Sequence, residues 1–341
     1  MSTPPETDGD AVPRETPADA TPAAGAPSGS PGGAGPDDGP PGDAIDHRAG
    51  FCALLGLPNV GKSTLLNRLV GVDLAIVTHK AQTTRRRLRG IYSDDNHQAV
   101  FVDTPGLLEP RYLLQEAMQD EAERALEGTD VRVWVVDAGY PRSVEFARSS
   151  GLPDRDADVL CVNKLDRVDE GRRDELLSGL EEAGWSTVVP TMAEEGTGVD
   201  RLRREVLRRL PVSPPLYPPD QMATASLRDF AAEFVREACF RELEEEVPYS
   251  IAVVVEEFRE TEDPVYISAV LHVERPSQKG IVIGEGGGMI RAIGTRARRR
   301  IESFLDRRVY LDLWVKVLPK WRKKKSELAR LGFEVRPRKG G

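Results

Sequence analysis

Short apolar runs that stop at a glycine or a polar turn mark the first two thirds of the chain. Phe51-Cys-Ala-Leu-Leu55 ends at Gly56, Val100-Phe-Val102 at Asp103, Val159-Leu-Cys-Val162 at Asn163 and Val188-Val189 at Pro190. Runs this short and this apolar predict buried strands of an α/β sheet. Residues 199–210 predict the last helix of that layer. The run of prolines over 211–219 follows, and predicts a stiff, polyproline-like linker. Beyond it the period changes. Leu227, Phe230, Ala231, Phe234, Ala238 and Leu243 recur at helical spacing within 224–246. Residues 249–258 and 265–273 alternate or run β-branched, which predicts two strands. A helical stretch spans 284–305, 308–317 alternates as a third strand, and 321–331 predicts a closing basic helix. The organisation is an α/β domain over 49–210, a linker over 211–220 and an α+β domain over 221–335. A chain of 341 residues is long enough for two such cores.

Composition sets residues 1–48 apart. They consist mostly of Pro, Gly, Ala, Asp, Ser and Thr, too little apolar surface to offset the entropy of ordering, so they predict a disordered acidic tail. They have neither a basic start nor an apolar segment, which argues against a secretory signal. Cys52, Cys161 and Cys239 sit far apart in apolar stretches and read as buried thiols of a reducing, cytoplasmic compartment. The net charge of −9 conceals an asymmetry. Residues 220–274 hold 4 Lys and Arg against 14 Asp and Glu, whereas 275–341 hold 19 against 6. The local field of the last segment suits a polyanion despite the acidic total.

The chemistry lies at the strand ends. Gly56-Leu-Pro-Asn-Val-Gly-Lys-Ser63 fits the phosphate-loop pattern and follows a strand. Gly56 and Gly61 let the loop turn its N–H groups inward, together with those of Asn59, Val60 and Thr64. Lys62 reaches the β- and γ-phosphates, and the Ser63 hydroxyl suits Mg²⁺. Asp103-Thr-Pro-Gly106 places a carboxylate near that ion and an N–H near the γ-phosphate. In Asn163-Lys-Leu-Asp166, Asp166 can accept both guanine N1–H and the 2-amino group. Lys164 can cover the base and Asn163 can brace the loop. In that order, each at the carboxyl end of a strand, the motifs predict a GTP/GDP site with Mg²⁺.

These segments, GLPNVGKSTLLNRL, KAQTTRRR, VDTPGLL and VNKLD, resemble the Era group within the TrmE–Era–EngA class of translation-factor-like GTPases. The resemblance covers roughly residues 50–335. It implies a GTPase domain followed by a type II KH domain, and a switch loop over 80–89 whose Thr83 or Thr84, with Thr84 preferred, completes the Mg²⁺ shell. It implies a K⁺ ligand at Asn59; a plain loop Asn that tolerates a left-handed backbone is the alternative. Leu107 stands where Ras-type enzymes carry a water-orienting glutamine, which predicts slow intrinsic hydrolysis. Where the family reads Ser-Ala, this chain has Met192-Ala193. The Ala193 N–H remains available to guanine O6, but the bracing hydroxyl is lost.

The resemblance also implies RNA binding at Gly284-Glu-Gly-Gly287, the loop with which a KH domain clamps about four nucleotides. Glu285 departs from the usual basic residue there. Arg291, Arg298, Arg300 and Lys320, with Arg296 and Arg299, stand by as compensating charge. The implied partner is the 3′ end of small-subunit ribosomal RNA, during small ribosomal subunit assembly. Three alternatives stay open: an RNA-binding GTP/GDP sensor with little turnover, another GTPase of the class acting in tRNA modification or large-subunit assembly, and peripheral membrane contact through the apolar face of Trp321, Leu328 and Leu331.

Overall fold

A computed structural model describes residues 47–80, 82–107, 110–149 and 158–334. The proposed tail therefore lies outside the described residues except for its last two. Its boundary falls inside β1 (Arg48–Leu55), because Arg48 already pairs in register with His97 and donates to the Leu210 carbonyl at 2.8 Å.

The first sheet has the order β2-β3-β1-β4-β5-β6. Its other strands are β2 (Leu88–Ser93), β3 (His97–Asp103), β4 (Val131–Asp137), β5 (Asp158–Asn163) and β6 (Val188–Pro190). Only the β2–β3 pairing is antiparallel. Helices α1 (Lys62–Val70), α2 (Leu113–Leu126), α3 (Pro141–Ser149), α4 (Glu170–Glu182) and α5 (Val199–Leu207) connect and cover the strands. Leu54, Phe101, Val133 and Cys161 are buried in its core. The motif-bearing loops leave β1, β3 and β5 at one edge, where such sheets bind ligands. Helix α5 stops three residues short of the expected end, since Leu210 closes a tighter turn onto Leu207.

The linker is not a free spacer. Ala49 N–H donates to the Pro211 carbonyl, Ser213 N–H to His47 and Ile91 N–H to Met222. Gln98, 1 % exposed, accepts from Leu216 N–H at 2.7 Å and Tyr217 N–H at 2.9 Å. Just past the linker, Met222, Ala223 and Thr224 run along the outer edge of β2, which would otherwise be an open template for pairing.

The second domain contains α6 (Leu227–Glu242), β7 (Ala252–Arg259), β8 (Val265–Val273), α7 (Pro276–Ile283), α8 (Gly288–Leu305), β9 (Val309–Val317) and α9 (Lys325–Arg330). Its sheet runs β7-β8-β9, with β8 and β9 parallel. Ser226 caps α6 in a reciprocal capping box with Asp229. The apolar stripe of α6, with Phe230 and Phe234 at its centre, packs on Ile293, Ala297 and Ile301 of α8 and on the sheet.

The closing helix differs from its expectation. It splits into a 3-10 turn (Trp321–Lys323) and the short α9. Trp321 and Leu328 are fully buried and Leu331 is 6 % exposed, packed with Leu114 and Met118 of α2. The apolar face that membrane contact would need is spent between the domains. Among the described residues no helix is long and apolar enough to cross a membrane.

Candidate functional site

The phosphate loop adopts the left-handed backbone that its glycines allow. Gly56, Asn59 and Gly61 have φ of 144°, 63° and 103°. A Cβ on Gly61 would stand 2.2 Å from Asn163 Nδ2, so only glycine fits. Helix α1 begins without a side-chain cap, which leaves its first N–H groups, Ser63 and Thr64 among them, free for an anion. Lys62 is 6 % exposed, and its ammonium donates to the Gly56 and Leu57 carbonyls at 3.1 and 3.0 Å. Burial pulls it from 10.5 to about 8, against the pull of Asp103. Bound phosphates restore its charge, so GTP binding above pH 8 takes up a proton. Affinity is expected to fall as pH rises through about 8. Titration calorimetry in buffers of unlike ionisation enthalpy measures the uptake; a buffer-independent heat in that range would contradict it.

Three oxygens converge beside the loop. Ser63 Oγ donates to Asp103 Oδ2 at 2.7 Å, Thr84 Oγ1 reaches the same oxygen at 3.1 Å, and the two hydroxyls lie 2.9 Å apart. Among the described residues, buried Asp103 Oδ1 has no partner. Burial raises the Asp103 carboxyl against the opposing effects of Lys62 and both hydroxyls. Two hydroxyls and a carboxylate with a spare lone pair fit a small, hard cation that keeps part of its water shell. Mg²⁺ held there supplies the charge that neutralises the phosphates. Thr83 lies elsewhere, donating to the Lys80 carbonyl at 2.8 Å.

At the base end, Asn163 Nδ2 donates to the Val60 carbonyl at 2.9 Å, which ties the base loop to the phosphate loop. Its Oδ1 accepts from Thr191 Oγ1 at 3.1 Å and from the Ala193 N–H at 3.0 Å. The Ala193 N–H thus reaches guanine O6 as a donor shared with Asn163. The missing hydroxyl is answered by other residues: Thr191 braces Asn163, and Arg68 of α1 holds the Ala193 and Glu194 carbonyls at 3.2 and 2.5 Å. Lys164, left-handed at φ 57°, bonds the Asn59 carbonyl and Asp137. Asp137, Thr191 and Arg68 escaped the sequence reading. An aspartate closing the apolar run of β4 was the one available signal. Asp166 is exposed in the 3-10 turn after β5, with no hydrogen bond or ion pair among the described residues. Asp166→Asn is expected to weaken GTP roughly tenfold or more and to improve xanthosine triphosphate, because an unpaired polar edge costs about 1–3 kcal/mol. Competition with labelled GTP checks this; unchanged GTP affinity would sink the guanine assignment.

Asn59 Nδ2 donates to the His79 carbonyl at 3.2 Å, which joins the phosphate loop to the switch. Gly106 approaches so closely that a Cβ would meet Pro58 at 2.7 Å. The Leu107 N–H bonds the Gly56 carbonyl, and its side chain offers no polar aid.

The basic run after Lys80 is not the solvated loop its composition allows. Lys80 Nζ reaches the Phe240 carbonyl at 2.6 Å and that of Leu243, at the carboxyl end of α6, where a cation is favoured. Arg85, 5 % exposed, donates to the carbonyls of Ile251 (2.6 Å), Tyr249 (2.8 Å) and Pro248 (3.4 Å). Arg86 bonds the Leu331 carbonyl and lies over the Phe333 ring. Thr84 beside the phosphates and Arg85 inside the second domain are consecutive residues.

In that domain, Gly284, Gly286 and Gly287 have φ of 73°, 55° and 76°. They join α7 to α8, with open space where Cβ atoms of Gly286 and Gly287 would lie. Arg291 donates to the Gly286 carbonyl at 2.8 Å. Glu285, Arg298 and Lys320 are exposed. Arg298 lies within about 20° of Arg291 around the helix, on the loop's side. Arg300 sits on another face of the helix. It lies about 180° away from Arg291, donating to the Asp73 carbonyl at 2.6 Å and stacking over Phe234. It faces the first domain.

Fold and site together define a P-loop guanine-nucleotide enzyme joined to a KH domain. Family models agree: "50S ribosome-binding GTPase" matches residues 51–164 and "KH domain" matches 246–322. The GTPase Era of Leuconostoc citreum is 41% identical over 295 residues, covering 84% of this chain and 96% of that relative. That of Carboxydothermus hydrogenoformans is 40% identical over 294 residues, covering 85% and 99%. A structure of Era in complex with MgGDPNP and nucleotides 1506–1542 of 16S ribosomal RNA superposes with a TM-score of 0.79 at 36% identity, covering 84% of this chain and 99% of that one. An Aquifex aeolicus Era variant bound to GDP and AlF4⁻ gives 0.77 at 35%, with the same coverage. The chain belongs to the Era GTPase family, and it is a GTPase.

Proposed function

We propose that the chain is a GTP-timed RNA clamp acting on the 3′ end of small-subunit ribosomal RNA during subunit assembly. One observation carries the timing: Thr84 shares the Asp103 carboxylate with Ser63 while the adjacent Arg85 holds three carbonyls of the KH domain. Loss of the γ-phosphate releases Thr84, and the anchor on the KH domain moves with it. Residues 49–210 serve as the G domain, 211–220 as a strap and 221–335 as the KH domain. Gly56, Asn59, Val60, Gly61, Lys62, Ser63, Thr64 and Gly106 hold the phosphates, and Asn163, Lys164, Asp166 and Ala193 hold the base. Ser63, Thr84 and Asp103 hold Mg²⁺. RNA meets Gly284, Glu285, Gly286, Gly287, Arg291, Arg298, Arg300 and Lys320. A large-subunit role follows only from the family description of the first domain; the relatives matching both domains are Era proteins, one of them bound to 16S RNA. Crosslinking in cells followed by sequencing of the bound RNA tests the target. Enrichment of large-subunit RNA or tRNA would overturn it.

Asn59 serves as a K⁺ ligand beside the phosphates, in the place of the polar help Leu107 lacks. Hydrolysis is expected to be faster in K⁺ than in Na⁺ at equal ionic strength, and Asn59→Ala to erase the difference. Equal wild-type rates would remove the ion. Single-turnover assays with and without small subunits separate a working GTPase from a sensor with little turnover.

A further inference from the structure

A second cleft, of about 780 Å³, lies between the two domains. Helices α6 and α8 form one wall, and the segment from Asp73 to Val77, which leads into the switch, forms the other. Five arginines line it: Arg241, Arg291, Arg296, Arg299 and Arg300. Glu242 pairs with Arg296, and Glu237 pairs with Arg241 and Arg300. Arg299 is exposed and has neither a hydrogen bond nor an ion pair among the described residues. Arg291 stands where the cleft meets the glycine loop, bonded to Gly286. Arg241 and Arg296 also line the nucleotide cleft, so the two cavities adjoin at these side chains.

We infer that this cleft carries the phosphate backbone of the RNA that flanks the nucleotides held by the glycine loop. The inference rests on the RNA reading above. A glycine loop accommodates only about four nucleotides, so a longer strand has to leave it along some surface. The open groove beside Arg291 is lined by guanidinium groups, whose planar donors suit phosphate oxygens. From Arg291 to Arg299 the helix rises about 12 Å, the span of roughly three to four stacked nucleotides. Arg299 is free to bind at once, and RNA arriving at Arg296 displaces Glu242. The strand then lies against Asp73 to Val77, immediately before the switch. RNA occupancy and nucleotide state thereby meet at Arg241 and Arg296, which line both clefts.

Arg299→Glu tests this without disturbing any described contact, with the melting temperature as the folding control. Two RNAs from the 3′ end of small-subunit ribosomal RNA are compared, one of roughly five nucleotides and one of roughly forty. The short RNA is expected to bind as it does to the wild type. The long RNA is expected to bind severalfold more weakly, with a salt slope flattened by at least about 0.7, the share of one phosphate contact on a single strand. Unchanged affinity for the long RNA, or equal losses for both, would overturn the cleft assignment. Gly286→Asp with Gly287→Asp is the parallel control. If that pair leaves the short RNA bound, the RNA reading itself fails, and the cleft inference with it.

Discussion

Replacing Gly286 and Gly287 together by Asp is expected to abolish RNA binding at physiological salt and to leave GTP affinity unchanged. Both positions are left-handed, at φ 55° and 76°, a region Asp enters more readily than most residues. A Cβ at either position meets nothing within 4 Å. The domain should therefore fold at a cost of at most about 1–2 kcal/mol for each of the two positions. The effect is electrostatic. Two carboxylates join Glu285 where phosphates have to approach the free N–H groups at the start of α8, reversing the sign of the field there. The nucleotide cleft belongs to other elements and keeps its affinity. Anisotropy with labelled RNA and titration with a fluorescent GTP read the two arms separately. RNA binding at wild-type strength would leave the basic carboxyl-terminal segment as the only source of affinity.

Arg85→Ala is expected to lower stability by about 2–4 kcal/mol, from buried acceptors left unpaired, and to remove the dependence of RNA affinity on GTP against GDP. The guanidinium is enclosed between Phe240 and Trp321, 5.9 Å from each ring. Burial, and then Arg236, pulls it down to about 9. Truncation leaves the Pro248, Tyr249 and Ile251 carbonyls short of donors. Arg85→Lys keeps the charge but not the fork, since a single ammonium cannot span all three oxygens, so it should restore part of the stability and little of the coupling. Melting curves and RNA titrations in each nucleotide state check both. A variant whose RNA affinity still follows the nucleotide would show that the domains communicate by another route.

The nucleotide site was legible because its residues obey local rules. Each motif sits at the end of an apolar run, and Gly56, Asp103 and Asn163 fall at the carboxyl ends of parallel strands of one sheet. Ser63, Thr84 and Asp103 could be grouped by type before any distance was known. Arg68, Asp137 and Thr191 could not. Their importance comes from which loop they brace, and that depends on how α1, β4 and β6 pack. The contacts of Ala193 and Arg300 were hidden for the same reason: donor capacity and charge are visible in a sequence, whereas engagement by Asn163 or Asp73 is not.

The amino-acid sequence by itself determined the two domains, the guanine-nucleotide chemistry and the position of the glycine loop. Periodicity, turn residues and spacing act over a few residues and need no knowledge of the rest. Only the tertiary structure decided what the basic switch, the proline-rich strap and the closing helix do. Lys80, Arg85 and Arg86 could equally have been solvated, and Trp321, Leu328 and Leu331 could have faced a membrane. Their partners are backbone carbonyls and apolar side chains as much as 245 residues away. A carbonyl carries no sequence signature, so packing alone could choose between those fates.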